Sequence, residues 1–220
     1  MKYEIVEIFQ SINGEGMKAG ELAAFIRFKG CNLGCGYCDT MWANQVDASC
    51  REMDEEEIIE EIEKYHVKNV TVTGGEPLFR KGIGKLLKRL IKEGFAVEIE
   101  TNGSVSLREF APISPNISFT MDYKLPGSGM EENMCVSNFS LLTAKDTVKF
   151  VVSGREDLER AYQVTEQYSL GERCHVLLSP VFGEIEPEEI VEFMKQRHWT
   201  EVRMQIQMHK VIWDANKRGV

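Results

Sequence analysis

No apolar run in this 220-residue chain approaches the roughly 18 residues that a membrane-spanning helix needs. Its first ten residues, MKYEIVEIFQ, carry two glutamates and lack the apolar stretch of a secretion signal. Positive charge is in deficit: 26 Lys and Arg stand against 35 Asp and Glu, a formal net charge of −9. That deficit argues against a large phosphate-backbone footprint, and so against direct nucleic-acid binding. Internal repeats, low-complexity tracts and linkers are missing too. Six cysteines are too sparse in a chain of this length for a disulfide scaffold. These absences leave a soluble cytoplasmic protein, expected as a single domain over residues 1–220. Hydrophobic residues make up 43% of the chain, enough for a sizeable core.

What is present is an alternation of apolar runs and helical patterns. Strands are expected at 23–28, 69–73, 96–101, 117–121, 147–152, 175–179 and 201–207. Several read as continuous apolar runs, the pattern of a parallel sheet buried on both faces. Helices fall between them. Asp54 is placed to N-cap a helix reaching about Tyr65, with Glu57 completing a capping box. The stretch 82–93 carries an apolar stripe at Ile83, Leu86, Leu87, Leu90 and Ile91. Ser153 and Glu156 form a second box before a helix ending near Tyr168, and Pro187 opens a helix ending near Arg197. Strand–helix alternation implies an α/β fold with a parallel sheet, open or partly closed. About four long helices are too few for a complete eight-unit barrel. The stretches 31–51 and 125–144 lack periodicity and are expected as loops at the carboxyl edge of the sheet, where ligands bind.

Three cysteines, Cys31, Cys35 and Cys38, fall within eight residues, while Cys50, Cys135 and Cys174 are scattered. A tight group of thiols in a reducing compartment points to a metal centre. Three thiolates can ligate three irons of a 4Fe–4S cubane and leave the fourth iron open to a small molecule. Glycines at 30, 34 and 36 allow a tight loop whose backbone amides approach sulfide. The competing reading is structural zinc, for which Cys50 or His66 is available as a fourth ligand. A second segment, Thr71-Val72-Thr73-Gly74-Gly75-Glu76-Pro77, follows an expected strand, and its two glycines leave the backbone bare to a ligand. Taken alone, such a segment reads as an ordinary turn. The basic run Lys81, Lys85, Lys88 and Arg89 reads as a solvated helix face.

The triplet, with Tyr37 just before its third cysteine, resembles the radical S-adenosylmethionine (SAM) superfamily, and the GGEP segment agrees. In that superfamily the open iron chelates the amino and carboxylate groups of SAM, the aromatic residue packs near adenine, and GGEP takes the ammonium group. Five more pieces narrow the likeness: SINGEG at 11–16, Asp39-Thr40 after Cys38, ETNG at 100–103, Asp122-Tyr123-Lys124, and Gln207-Met208-His209-Lys210. Together they resemble the 7-carboxy-7-deazaguanine synthase family over nearly the whole chain. The resemblance implies a shortened, partial parallel β/α barrel of the radical SAM type, usually in a homodimer. It implies a 4Fe–4S cluster, SAM and Mg²⁺, and a lyase that turns 6-carboxy-5,6,7,8-tetrahydropterin into 7-carboxy-7-deazaguanine and ammonia, in queuosine-type biosynthesis. A flavodoxin-type electron donor is the implied partner.

Carried over residue by residue, the resemblance puts the cluster on Cys31, Cys35 and Cys38 and Mg²⁺ on Thr40. SAM contacts fall to Tyr37, Cys38, Asp39, Gly74, Gly75, Glu76, Asp122, Tyr123 and Lys124. Substrate contacts fall to Ile12, Asn13, Gly14, Glu15, Arg27, Thr73, Glu100, His209 and the terminal carboxylate of Val220. Catalytic roles go to Arg27, whose planar fork suits a carboxylate, to Glu100 as acceptor of pterin N–H groups, and to His209 as a binding or protonating group. Read without the resemblance, Arg27 caps a strand end, Glu100 and Glu15 are solvated acids, and His209 is a structural residue on a strand. Two departures stand out. Asn13 occupies a place where the family often has Gln, which shortens one contact, and Asp122-Tyr123-Lys124 replaces a usual Ser-Pro-Lys. A glycyl-radical activase would share the cysteine loop without needing SINGEG, ETNG or Thr40. A non-catalytic zinc module is the alternative from another class.

Overall fold

The computed structural model describes residues 1–215 and 217–220. Its strands are β1 (Tyr3–Ile12), β2 (Leu22–Phe28), β3 (Arg51–Met53), β4 (Asn69–Gly74), β5 (Ala96–Thr101), β6 (Ile117–Tyr123), β7 (Thr147–Val152), β8 (His175–Pro180) and β9 (Val202–Met204). Helices are α1 (Met41–Asn44), α2 (Glu55–Glu63), α3 (Ile83–Lys92), α4 (Arg155–Tyr168), α5 (Pro187–Arg197) and α6 (Met208–Ile212). One nine-stranded sheet runs in the order β3-β1-β2-β4-β5-β6-β7-β8-β9 and stays open at β3 and β9. From β2 to β9 all pairs are parallel; β1 and β3 add an antiparallel edge. The fold is therefore the expected α/β partial barrel. Among the described residues, no helix is long and apolar enough to cross a membrane.

Each parallel strand alternates. In β4, Val70 and Val72 enter the core under the helices, while Thr71 and Thr73 turn to the other face. In β5, Val97 and Ile99 face the core, whereas Glu98 and Glu100 face away. Both faces are buried, as the near-continuous runs predicted, but the second face is largely polar, with Ala23, Phe25, Val151 and Leu177 as its apolar members. Helix α3 lays Ile83, Leu86, Leu87 and Leu90 on the core face; each contributes about 2 kcal/mol by leaving water.

Caps set the helix starts. Asp54 and Glu57 exchange bonds as predicted, Asp54 N to Glu57 Oε2 at 2.8 Å and Glu57 N to Asp54 Oδ1 at 3.1 Å. Such a cap stabilises a helix by about 1 kcal/mol. The expected Ser153–Glu156 box does not form. Gly154 is the cap residue, so the third helical position falls to Asp157, which accepts from Ser153 N at 2.8 Å and from Gly127 N at 2.8 Å. Two strands, β1 and β3, were not expected at all. The last expected strand ends early, at Met204, and His209 lies on α6 rather than on a strand. Its chain leaves the sheet because Gln205 turns inward to bond Gly16.

Candidate functional site

The loop joining β1 to β2, residues 13–21, folds across the concave face. Gln205 Oε1 accepts from Gly16 N at 2.9 Å, and Gln205 Nε2 donates to Gly16 O at 3.1 Å. Met208 N donates to Gly14 O at 3.1 Å. One loop thus reaches from β2 to the end of β9, which means that the sheet curls around it. It forms the floor of the concave face, below the strand carboxyl ends that lead into the cysteine loop and GGEP.

Glu15 anchors that floor. Its Oε1 accepts from Ser179 Oγ at 2.5 Å, and its Oε2 accepts from Lys149 Nζ at 3.2 Å and Gln207 Nε2 at 3.3 Å. Burial alone would push the Glu15 carboxyl up, but Lys149 and these hydrogen bonds hold it below the ordinary value. Burial likewise opposes the Lys149 charge, and Glu15 and Asp122 hold its pKa well above the usual lysine value. Asp122 lies 3.9 Å from Lys149 and takes Lys124 Nζ at 2.8 Å. Glu15, Lys149, Asp122 and Lys124 are one chain of alternating charge running from the floor to the rim.

The other wall comes from β2, β4 and β5. Arg27 and Thr73 are register partners on neighbouring strands. Glu7 accepts from Arg27 Nε at 2.7 Å, and the guanidinium lies 5.7 Å from the Phe9 ring centre. Thr73 Oγ1 donates to Glu100 Oε2 at 2.6 Å. Thr71 Oγ1 donates to the buried Asn13 Oδ1 at 2.7 Å. His209 stands against Gly14, where an added β-carbon would come within 2.6 Å of its Nδ1. Burial, then the charge of Lys210, push the His209 pKa down, so the ring is neutral at pH 7.

At the rim, the cysteine loop and GGEP lock together through backbone. Gly75 N donates to Phe28 O at 3.2 Å and Glu76 N to Gly30 O at 3.1 Å. A β-carbon on Gly74 or Gly75 would run into the backbone of Phe28 or Gly30. Gly74 also has a φ of 139°, open only to glycine. By contrast, Gly34 and Gly36 meet nothing within 4 Å, so only Gly30 of the three loop glycines is at a positive φ. The Glu76 side chain is fully buried and bridges two strand ends: it accepts from Asn102 N at 2.6 Å, Leu78 N at 2.9 Å and Thr101 Oγ1 at 2.9 Å. Burial pushes its carboxyl up to about 7 against those donors.

The donor set around the thiols suits a thiolate-held cluster. All three are free. Cys31 Sγ accepts from Leu33 N at 3.4 Å and Asn102 Nδ2 at 3.5 Å, and Cys38 Sγ from Asn44 Nδ2 at 3.7 Å. Hydrogen bonds to sulfur are among the levers that tune such centres. Tyr37 donates to Val151 O at 3.3 Å and has Lys124 Nζ 5.8 Å from its ring centre. Tyr123 points the other way, into the core against Phe139 and Phe150. Thr40 Oγ1 lies 3.7 Å from Cys38 Sγ. The tail returns to this loop, with Asp39 3.4 Å from Lys210 and Arg218 4.0 Å above the Trp42 ring. Val220 is partly buried, and Ile12 ends β1.

Sequence reading missed Lys149, Ser179 and Gln205, and it quoted Thr101 and Asn102 within ETNG without giving either a role. A lone lysine inside the apolar run TVKFVV was the available signal for the first.

The radical SAM superfamily profile matches residues 25–120. The chain is 53% identical over 221 residues to 7-carboxy-7-deazaguanine synthase of Clostridium acetobutylicum, covering 100% of both chains. It is 36% identical to the enzyme of the same name from Chlorobaculum tepidum, over 98% of this chain and 96% of that one. The crystal structure of QueE from Escherichia coli aligns with a TM-score of 0.75 at 25% identity, over 95% of each chain.

Proposed function

The chain belongs to the 7-carboxy-7-deazaguanine synthase family of radical SAM enzymes, and we propose that its concave pocket converts 6-carboxy-5,6,7,8-tetrahydropterin to 7-carboxy-7-deazaguanine and ammonia. The observation that carries this reading is the joint placement of Arg27, Thr73 and Glu100 on one polar wall facing the charged floor, at the mouth held by the cysteine loop. Cys31, Cys35 and Cys38 would hold a 4Fe–4S cluster, which together with SAM would supply one-electron radical chemistry there.

The residues around it bind, orient and exclude water. Gly74, Gly75, Tyr37, Cys38 and Asp39 line the SAM side, with Lys124 held over Tyr37 by Asp122. Glu76 and Tyr123 act by shaping the rim, since both side chains are buried in other contacts. Glu7 occupies Arg27 Nε and leaves both Nη groups for the substrate carboxylate. Thr73 occupies one Glu100 oxygen and leaves the other for pterin N–H groups. Ile12, Asn13, Gly14 and neutral His209 shape the floor and its edge, and the Val220 carboxylate approaches from the tail. Glu15 serves the substrate indirectly, because both its oxygens are taken. Thr40 would offer its hydroxyl to Mg²⁺, a hard cation that takes oxygen ligands. The same reading takes residues 1–220 as one domain, in a homodimer in the reducing cytoplasm, served by a flavodoxin-type donor. Six free thiols and the exposed Phe182, Val211 and Ile212 support it.

Anaerobic reconstitution followed by incubation with SAM, Mg²⁺, the pterin and dithionite tests the assignment. About four irons and four sulfides per chain and mass-spectrometric detection of 7-carboxy-7-deazaguanine are expected. One zinc without sulfide, or a loaded enzyme that leaves the pterin untouched, overturns it. Product formation from the free pterin also excludes a glycyl-radical activase. Arg27→Ala is expected to raise KM for the pterin about 100-fold, the worth of one bidentate charged contact, with SAM affinity within about twofold of wild type. Equal loss of both would remove Arg27 from the carboxylate site.

A further inference from the structure

We propose that the face formed by Arg80, Lys81, Lys85 and Lys88 docks an acidic one-electron carrier protein that reduces the cluster. The inference deepens the function proposed above and rests on it.

The cations are free for a partner. The core side chains of α3 fix its rotation, and Lys85 and Lys88 then stand outside. Nearby acids are spent elsewhere: Glu56 and Glu93 take Arg89 at 3.1 and 2.8 Å. Among the described residues, no carboxylate stands in ion-pair range of Arg80, Lys81, Lys85 or Lys88. The Nε of Arg80 is buried without a hydrogen-bond partner. These residues border a cleft of about 510 Å³ that one acid, Glu109, also lines. Phe79 is 58% exposed at its edge, with the Arg80 guanidinium 5.2 Å from its ring centre. An exposed aromatic stacked with an arginine is the make-up of a contact patch.

Position gives the patch its meaning. Arg80 Nη1 lies 3.6 Å from the place where a Gly30 β-carbon would project, and Gly30 immediately precedes Cys31. Arg80 therefore adjoins the residue before the first cluster ligand, and the cleft it lines carries Lys81, Lys85 and Lys88 on from there. A 4Fe–4S centre accepts its electron from outside the chain. With a net charge of −9, the rest of this surface repels an acidic carrier and leaves the basic face as its landing place. Redox encounters need only a small interface, below about 1,200 Å². In the docked complex one electron leaves the reduced carrier and one arrives at the oxidised cluster, with no bond made or broken.

The test uses reconstituted holoenzyme and purified flavodoxin. Binding of oxidised flavodoxin is titrated directly at low and high salt, and turnover is driven in parallel by reduced flavodoxin or by dithionite. The triple variant Lys81→Glu/Lys85→Glu/Lys88→Glu is expected to bind flavodoxin at least about tenfold more weakly and to lose the wild-type salt dependence. Flavodoxin-driven kcat/KM falls with it, while the dithionite-driven rate stays unchanged. The control Lys64→Glu/Lys195→Glu, reversed on other exposed faces, retains binding. Undiminished flavodoxin binding by the triple variant, equal loss in the control, or no binding by wild type overturns the proposal. The dithionite arm reports separately on the proposed function.

Discussion

Gly75→Ala is expected to abolish turnover and to lower iron content, although the fold survives. An alanine β-carbon would sit inside the contact distance of the Gly30 carbonyl and of Asn44 Oδ1. Neither can yield cheaply. The Gly30 carbonyl is the acceptor for Glu76 N at 3.1 Å, and Gly30 N is itself fixed by Ala43 O at 3.1 Å. Asn44 holds Cys38 Sγ at 3.7 Å through its amide nitrogen. Relief of the clash must therefore move the segment that carries Cys31, or the amide that supports Cys38, or both. Overpacking of this kind costs about 1–3 kcal/mol, which a domain of this size withstands. Activity is less forgiving, because a displacement of about 1 Å at a reactive centre costs roughly 100-fold in rate. Gly34→Ala is the matched control in the same loop: its β-carbon meets nothing within 4 Å. Iron and sulfide content, the cluster absorbance and turnover should separate the two variants. If Gly75→Ala matches Gly34→Ala in all three, close packing of GGEP on the cysteine loop does not position the cluster.

The same contact shows where sequence reading succeeds and where it stops. The parallel strands and long helices were legible because period and length are local properties. Val70, Val72, Val97 and Ile99 mark a buried face whatever lies across from them. Cys31, Cys35 and Cys38 were legible because the ligands of one loop are close in sequence. That GGEP would press on Gly30 was not, since residues 30 and 75 meet only through the pairing of β2 with β4. The edge strands β1 and β3 were missed for a related reason. β3 is three residues long and pairs only with β1, while the buried residues Tyr3, Ile5 and Ile8 of β1 lose their period-two spacing at the irregularity between Ile5 and Glu7. The polar concave face was the largest omission. Glu98 and Glu100 interrupt an apolar strand, as Lys149 does, and a charge at such a place has to find a partner. Sequence alone could not name that partner, because Glu15 and Lys149 are 134 residues apart.

That pair carries the second large effect. Lys149→Met is expected to destabilise the protein by about 3–5 kcal/mol, the cost of removing one member of a buried ion pair. The side chains of Lys149 and Glu15 are only 13% and 10% exposed, so water screens the loss poorly. Methionine fills much of the lysine volume, and what remains is charge: Glu15 and Asp122 lose their shared cation. The pH dependence should change sign with it. In wild type the Glu15 carboxyl is held low, so its contribution is present above the ordinary carboxylate pKa and is lost only as acid protonates the folded state. Without Lys149, burial dominates and raises that carboxyl. Stability then falls as pH rises from about 5 towards 8, as the buried acid is forced to ionise. Adding Glu15→Gln removes the orphaned charge while keeping an acceptor for Ser179. The double variant should be less damaged than the sum of the singles by about 2 kcal/mol, read from denaturant unfolding at fixed pH. Additive losses, or a Lys149→Met protein whose stability does not decline with pH, would mean that the floor is held by Ser179, Gln205 and Gln207 alone. A coupled loss would mean that the 13–21 loop is kept in the barrel mainly by one buried charge pair, and that the pocket exists only while the pair does.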